Sequence, residues 1–223
     1  MRRLVAWAGC VVVALLVAWY AGGQFAPAQP RPPAGSVRLG PDPGEPVAGY
    51  LARLPALLPV PGTSAPALVQ LAAEVPTADA ALLAGVMRVD SVVLRVPLAR
   101  VQTALYFEAL DPRIELPRAL DTARQRAAHA AAAEAGRLTG RPGAVAAAEQ
   151  AALADPGCAC VVAFVVEGER AALETLAGRP GVRAVHAAPA GTTPVELALA
   201  PLLPEQTDRA DPLPDDGPVP TAR

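Results

Sequence analysis

Residues 161–187 read VVAFVVEGERAALETLAGRPGVRAVHA: an apolar run (Val161–Val166), a short helical pattern from Glu169 to Gly178, and a second apolar run (Val182–Ala187). A short, β-branched apolar run bounded by turn residues predicts a buried strand. The glycine after the helical pattern supplies the stop, because it tolerates the left-handed conformation at that position. The stretch therefore reads strand, helix, strand, a βαβ unit. The same pattern stands 93 residues upstream. Residues 68–96 align without a gap with 161–189, with eight identities in 29 positions, among them Leu83/Leu176, Gly85/Gly178 and Val92/Val185. Two such units predict one sheet, with Leu83 and Leu176 at equivalent core positions.

Between the copies, Val101–Glu108 alternates with period two, which predicts a half-buried strand hairpin-connected to the one ending near Val96. Val101, Thr103, Leu105 and Phe107 are expected on one face, and Gln102, Ala104, Tyr106 and Glu108 on the other. An Ala-rich helix is predicted over Pro117–Leu138 and a second over Ala144–Ala154, separated by Gly140, Pro142 and Gly143. Val47–Leu58 predicts a short amphipathic helix packed on the sheet. The expected fold is α+β: a two-layer sandwich of two βαβ units, resembling the ferredoxin-like fold, with an extra Ala-rich helical pair. Its sheet is expected to carry helices on one face, with the other face available.

Upstream, Leu4–Ala21 is an unbroken apolar run of 18 residues preceded by Met1, Arg2 and Arg3. Such a helix would be roughly 27 Å long, enough to cross a bilayer core, and the arginines orient its N-terminus to the cytoplasm. A retained signal-anchor (residues 1–25) is the expected reading; a cleaved signal and a lipidated Cys10 are the alternatives. Residues 26–46, with seven prolines, are expected to form an extended stalk, 47–203 one domain, and the acidic, Pro-rich 204–223 a disordered tail. The expected location is the cell membrane, single-pass, with the C-terminus outside.

The chain has no lysine, no asparagine and 51 alanines among its 223 residues, which reads as a GC-rich codon bias. A net charge of −2 gives no case for nucleic acid. The serines, at 36, 64 and 91, lie in no nucleophile elbow, and there is no phosphate-binding loop or paired-carboxylate motif, so no enzyme activity and no cofactor are expected. Cys158 and Cys160 are the thiols beyond the anchor. The i, i+2 spacing on a strand lies near the limit of disulfide geometry, so the pair is expected to be unpaired, with Cys160 facing the core; a disulfide or a redox pair is the alternative. Four-coordinate zinc would need His129 and His186 as well, without the usual spacing, so no metal is expected. Asp121 and Arg124 read as a surface pair. Tyr106, Gln102, Glu108 and His186 are the candidate ligand face, if they share an open side of the sheet.

Three motifs carry a resemblance: Cys158–Val161 (CACV), Pro180–Val185 (PGVRAV) and Pro201–Thr207 (PLLPEQT). With the anchor and stalk, the chain resembles uncharacterised actinobacterial single-pass membrane proteins with an extracytoplasmic α+β domain. The second βαβ copy alone is similar to propeptide domains that inhibit or chaperone secreted subtilisin-like proteases. The expected function is a non-catalytic, membrane-tethered interaction or sensor domain with a protein partner in the cell envelope. The alternatives are a propeptide-like inhibitor or chaperone, and an envelope thiol redox protein.

Overall fold

The structure, a computed structural model, describes residues 34–220; the expected anchor lies outside them. No helix among the described residues is long and apolar enough to cross a membrane. The architecture is α+β. Strand β1 (Val37–Leu39) is followed by α1 (Val47–Arg53), which runs into a 3-10 turn at Leu54–Leu57. The first repeat is β2 (Ser64–Val75), α2 (Thr77–Ala84) and β3 (Val89–Leu94). Then come β4 (Tyr106–Ala109), α3 (Leu116–Arg137) and α4 (Gly140–Ala154). The second repeat is β5 (Val161–Glu169), α5 (Arg170–Ala177) and β6 (Val182–Ala187), and β7 (Leu197–Leu199) follows.

The five-stranded sheet has the order β4-β3-β5-β2-β6, each neighbouring pair antiparallel. Each repeat is thus a split βαβ unit whose two parallel strands enclose a central strand of the other. Leu176 is fully buried, whereas its counterpart Leu83 is half-buried against the same core. Ala80 and Leu173, also related by the repeat, are both buried on their helices. The repeat holds for Leu71 and Phe164, which share the helix-facing core, but slips at Val69 and Val162. An irregularity in the β2–β5 register beyond the Gln70↔Ala163 pair turns Val162 to the opposite face.

Helices α2 to α5 pack one face of the sheet. Along α3, Ala119, Ala123, Ala127 and Ala131 form a buried i, i+4 stripe. The opposite face is covered, not open. Leu39, Ala188 and the flanks of β1 and β7 pack on Leu68, Val93, Ala163 and Val165. Beside them Val47, Tyr50 and Leu54 close over Ala184 with Leu202 and Ala210. β1 and β7 pair in parallel, Val37↔Leu197 to Leu39↔Leu199. The expected stalk therefore ends sooner, because residues 37–46 belong to the domain. The expected disordered tail is instead laid along the body through residue 220, held by backbone and ionic contacts described below.

Candidate functional site

A cleft of about 440 Å³ opens between the α3–α4 hairpin, the 95–105 loop, β4 and the C-terminal segment. Its helical wall follows from the sequence: apolar positions draw α4 onto α3, and Gly143 lets the backbone turn tightly, since a methyl there would meet the Leu138 carbonyl at 2.5 Å. Glu149 falls on the same stripe of α4 as Ala146 and Leu153, so it is carried inward and buried. There its carboxylate accepts the Ala104 N–H at 2.5 Å and the Tyr106 hydroxyl at 2.8 Å. Burial first, and then the Glu149 carboxylate, push the Tyr106 hydroxyl pKa well above its ordinary value.

At the rim the C-terminal segment supplies Asp215. Its carboxylate accepts the Gln102 N–H at 3.1 Å and the Arg141 guanidinium at 2.9 Å, and both hydrogen bonds lower its pKa. Leu213 takes a further hydrogen bond from the Gln102 side chain at 2.5 Å, and Arg141 donates to the Gly217 carbonyl at 2.8 Å. Asp216 forms an exposed pair with Arg100. Gly217 also donates its N–H to the Arg100 carbonyl at 2.7 Å. One polar segment of the chain's own tail is therefore seated on the cleft.

The four residues expected to share a ligand face do not meet. The observed strand is shorter than expected, and its phase is inverted. Tyr106 packs on the helix side, Glu108 pairs with Arg126 of α3 at 2.6 Å, and Phe107 is half exposed. At an outer strand the side facing α3 and α4 is the covered one, and there the hydroxyl and carboxylate find partners. Gln102 lies in the loop under the tail. His186 is buried beneath the other face, where its Nδ1 accepts the Gly40 N–H at 2.9 Å and lies 3.2 Å from the Tyr50 hydroxyl. Gln70 extends this network, donating to Tyr50 at 2.7 Å and accepting from the Leu202 N–H at 2.7 Å. Burial raises the Tyr50 pKa to about 12. His186 is thus a pin between the sheet and both terminal segments rather than a surface ligand.

A second buried cluster centres on Arg95, at the end of β3. Its guanidinium pairs with Glu74 and with Glu205 of the tail, each at 2.8 Å, and its Nε donates to Thr103 at 3.2 Å. Burial is the largest cause raising the Glu74 pKa. Sequence reasoning missed Glu149 and Arg95, although each is a charged residue at an apolar phase: AAAEQAAL carries the carboxylate, SVVLRV the arginine. Such phase breaks are the signal that could have found them.

Cys158 and Cys160 are both free thiols, Cys158 half-buried and Cys160 fully buried in the helix-side core. The Cys160 sulfur lies 3.4 Å from the Cys158 carbonyl oxygen. The neighbouring Cys160 lowers the Cys158 pKa, Cys158 and burial raise that of Cys160, and the nearby Arg124 also favours the Cys158 thiolate. Arg124 is not the surface residue expected. It is buried, donates to the Leu153 carbonyl and pairs with Asp121 at 2.6 Å. Among the described residues no group of three or more His, Cys, Asp or Glu is placed to hold a metal ion. No protein-family model, no curated protein and no solved structure matches the chain.

Proposed function

We propose that this domain is a non-catalytic, membrane-tethered extracytoplasmic interaction or sensor module that recognises a carboxylate-bearing partner through the α3–α4 cleft. The observation that carries the reading is the seat of Asp215: a backbone N–H and a guanidinium converge on one carboxylate at the mouth of the cleft. Guanidinium with an N–H is the donor set that suits a carboxylate. The tail contact is exposed to water on both sides, which makes it exchangeable rather than structural. A partner's acidic segment would then take the place of the tail.

The strand order, with two split βαβ units interleaved in an antiparallel sheet, supports the finer reading of a ferredoxin-like sandwich. It equally favours the propeptide-like alternative, since the resemblance covers β5 to β6. Inhibition of a secreted subtilisin-like protease by the purified chain would favour that alternative. The direct test of the cleft uses photo-crosslinking in intact cells with a probe at Val145. Asp215→Asn, which loosens the tail, should increase the crosslinked partner product, and Arg141→Ala should remove it. Equal product from all three forms would rule the cleft out as the partner site.

A further inference from the structure

We infer that the floor of the α3–α4 cleft is a subsite for the ammonium group of a lysine, carried by the same partner segment whose carboxylate takes the rim. The inference rests on the reading of the cleft given above and supplies the second half of its ligand. Its first support is Glu149, which lines the cleft, is only 2% exposed, and meets neutral donors, the Ala104 N–H and the Tyr106 hydroxyl. A buried charge is ordinarily paired with an opposite one, because neutral donors repay only part of the cost of taking it out of water. The guanidiniums of α3 and α4 that could serve are engaged elsewhere: Arg141 with Asp215, Arg126 with Glu108, Arg137 with Glu134 and Arg124 with Asp121. Among the described residues none pairs with Glu149.

The second support is the charge of the whole cleft. Its lining holds three carboxylates, Glu134, Glu149 and Asp215, and one guanidinium, Arg141. When a partner's carboxylate replaces Asp215 on Arg141, Glu134 and Glu149 still face the cleft without a cation in its lining. The group that fits is an organic cation rather than a metal ion, since no set of three ligating side chains is assembled among the described residues. Each Glu149 oxygen already holds one donor, which favours a compact ammonium over the bidentate fork of a guanidinium. The stem is also provided for: on α4, the lining residues between Arg141 and Glu149 are Pro142, Val145 and Ala146, all apolar, and suit a chain of methylenes. Eight residues of helix separate the two charges by roughly 12 Å. A lysine stem covers about half of that distance, which places the lysine about two or three positions from the acidic residue.

The test uses the full chain in detergent, with Asp215→Asn to loosen the tail, and isothermal titration with acetyl-Asp-Ala-Ala-Lys-amide. Three analogues accompany it: norleucine or arginine in place of the lysine, and asparagine in place of the aspartate. The lysine peptide should bind at least about tenfold more tightly than the norleucine peptide. Glu149→Gln should erase that preference and leave the affinity for the norleucine peptide unchanged. Should Glu149→Gln fail to fold, Glu134→Gln on the more exposed wall should reduce the preference by at least about threefold. Lysine and norleucine peptides of equal affinity, an arginine peptide as tight as the lysine one, or a preference untouched by these substitutions would overturn the subsite. In those cases a continued need for the aspartate leaves the rim reading standing. Peptides that bind equally with aspartate or asparagine would instead overturn the rim reading, and the subsite with it.

Discussion

A methyl group placed on Gly40 would sit 1.7 Å from the Ala200 carbonyl oxygen, on a backbone already at φ +131°. The same residue donates its N–H to His186 at 2.9 Å, so the close approach and the buried hydrogen bond stand or fall together. Gly40→Ala should therefore cost at least about 2 kcal/mol, read as a lower urea midpoint. Gly49 is the control, because a methyl there meets nothing within 4 Å. Gly49→Ala in α1 should be stabilising by about 0.5–1 kcal/mol. His186 itself predicts a pH dependence. Burial, with Arg53 adding and Glu45 opposing, depresses its pKa from 6.5 to about 4. The unfolded chain takes up this proton as pH falls through about 6.5, and the folded chain does not until about 4. This contribution is complete above 6.5 and is lost on the way down to pH 4, amounting to about 2–3 kcal/mol. Urea melts across that range should show the loss, and His186→Gln should flatten the slope.

The helices of the two repeats are related but unequally buried, and truncation should show it. Leu176→Ala empties a fully buried site and should cost about 2–5 kcal/mol, whereas Leu83→Ala, half-buried beside Gly181, should cost less than half as much. Equal costs would mean that α2 and α5 sit at the same depth. The repeat was legible because Val161–Val166 and Val182–Ala187 are apolar runs separated by a helical pattern and a glycine stop. The face of β4 was not. Alternation announces two faces without naming the inner one, and a phenylalanine on the less covered side of an outer strand inverts the obvious choice. Nor was the bulge at Val161–Ala163 visible, since valine and alanine suit either core. Glu149, Arg95 and Arg124 stayed hidden for a different reason: a charged residue reads as solvated until its partner, far along the chain, is brought to it.

At the scale of the whole molecule the C-terminal segment holds the domain shut. Glu205 pairs with a guanidinium only 1% exposed, Ala210 is buried beside Leu202 and Val47, and Arg183 donates to the Leu203 carbonyl at 2.7 Å. A Pro-rich, acidic composition ordinarily announces disorder, but here each turn of the segment meets a polar partner already waiting on the body. A chain ending at residue 203 should lose at least about 5 °C in Tm, because Arg95 then keeps only Glu74 and Thr103 as partners. Glu205→Gln should account for part of that loss, and the additive remainder belongs to the apolar contacts. The pairing of β1 with β7 has a consequence for timing. These two strands lie at opposite ends of the domain sequence, so β1 has no partner until the last strand has been made. In a chain that emerges N-terminus first, the Gly40–His186–Tyr50 pin must likewise wait until residue 186 has been made, shortly before β7. Closure of the second face thus acts as a check on completeness: a chain cut short before residue 197 leaves Leu68, Val93 and Val165 uncovered and open to proteolysis.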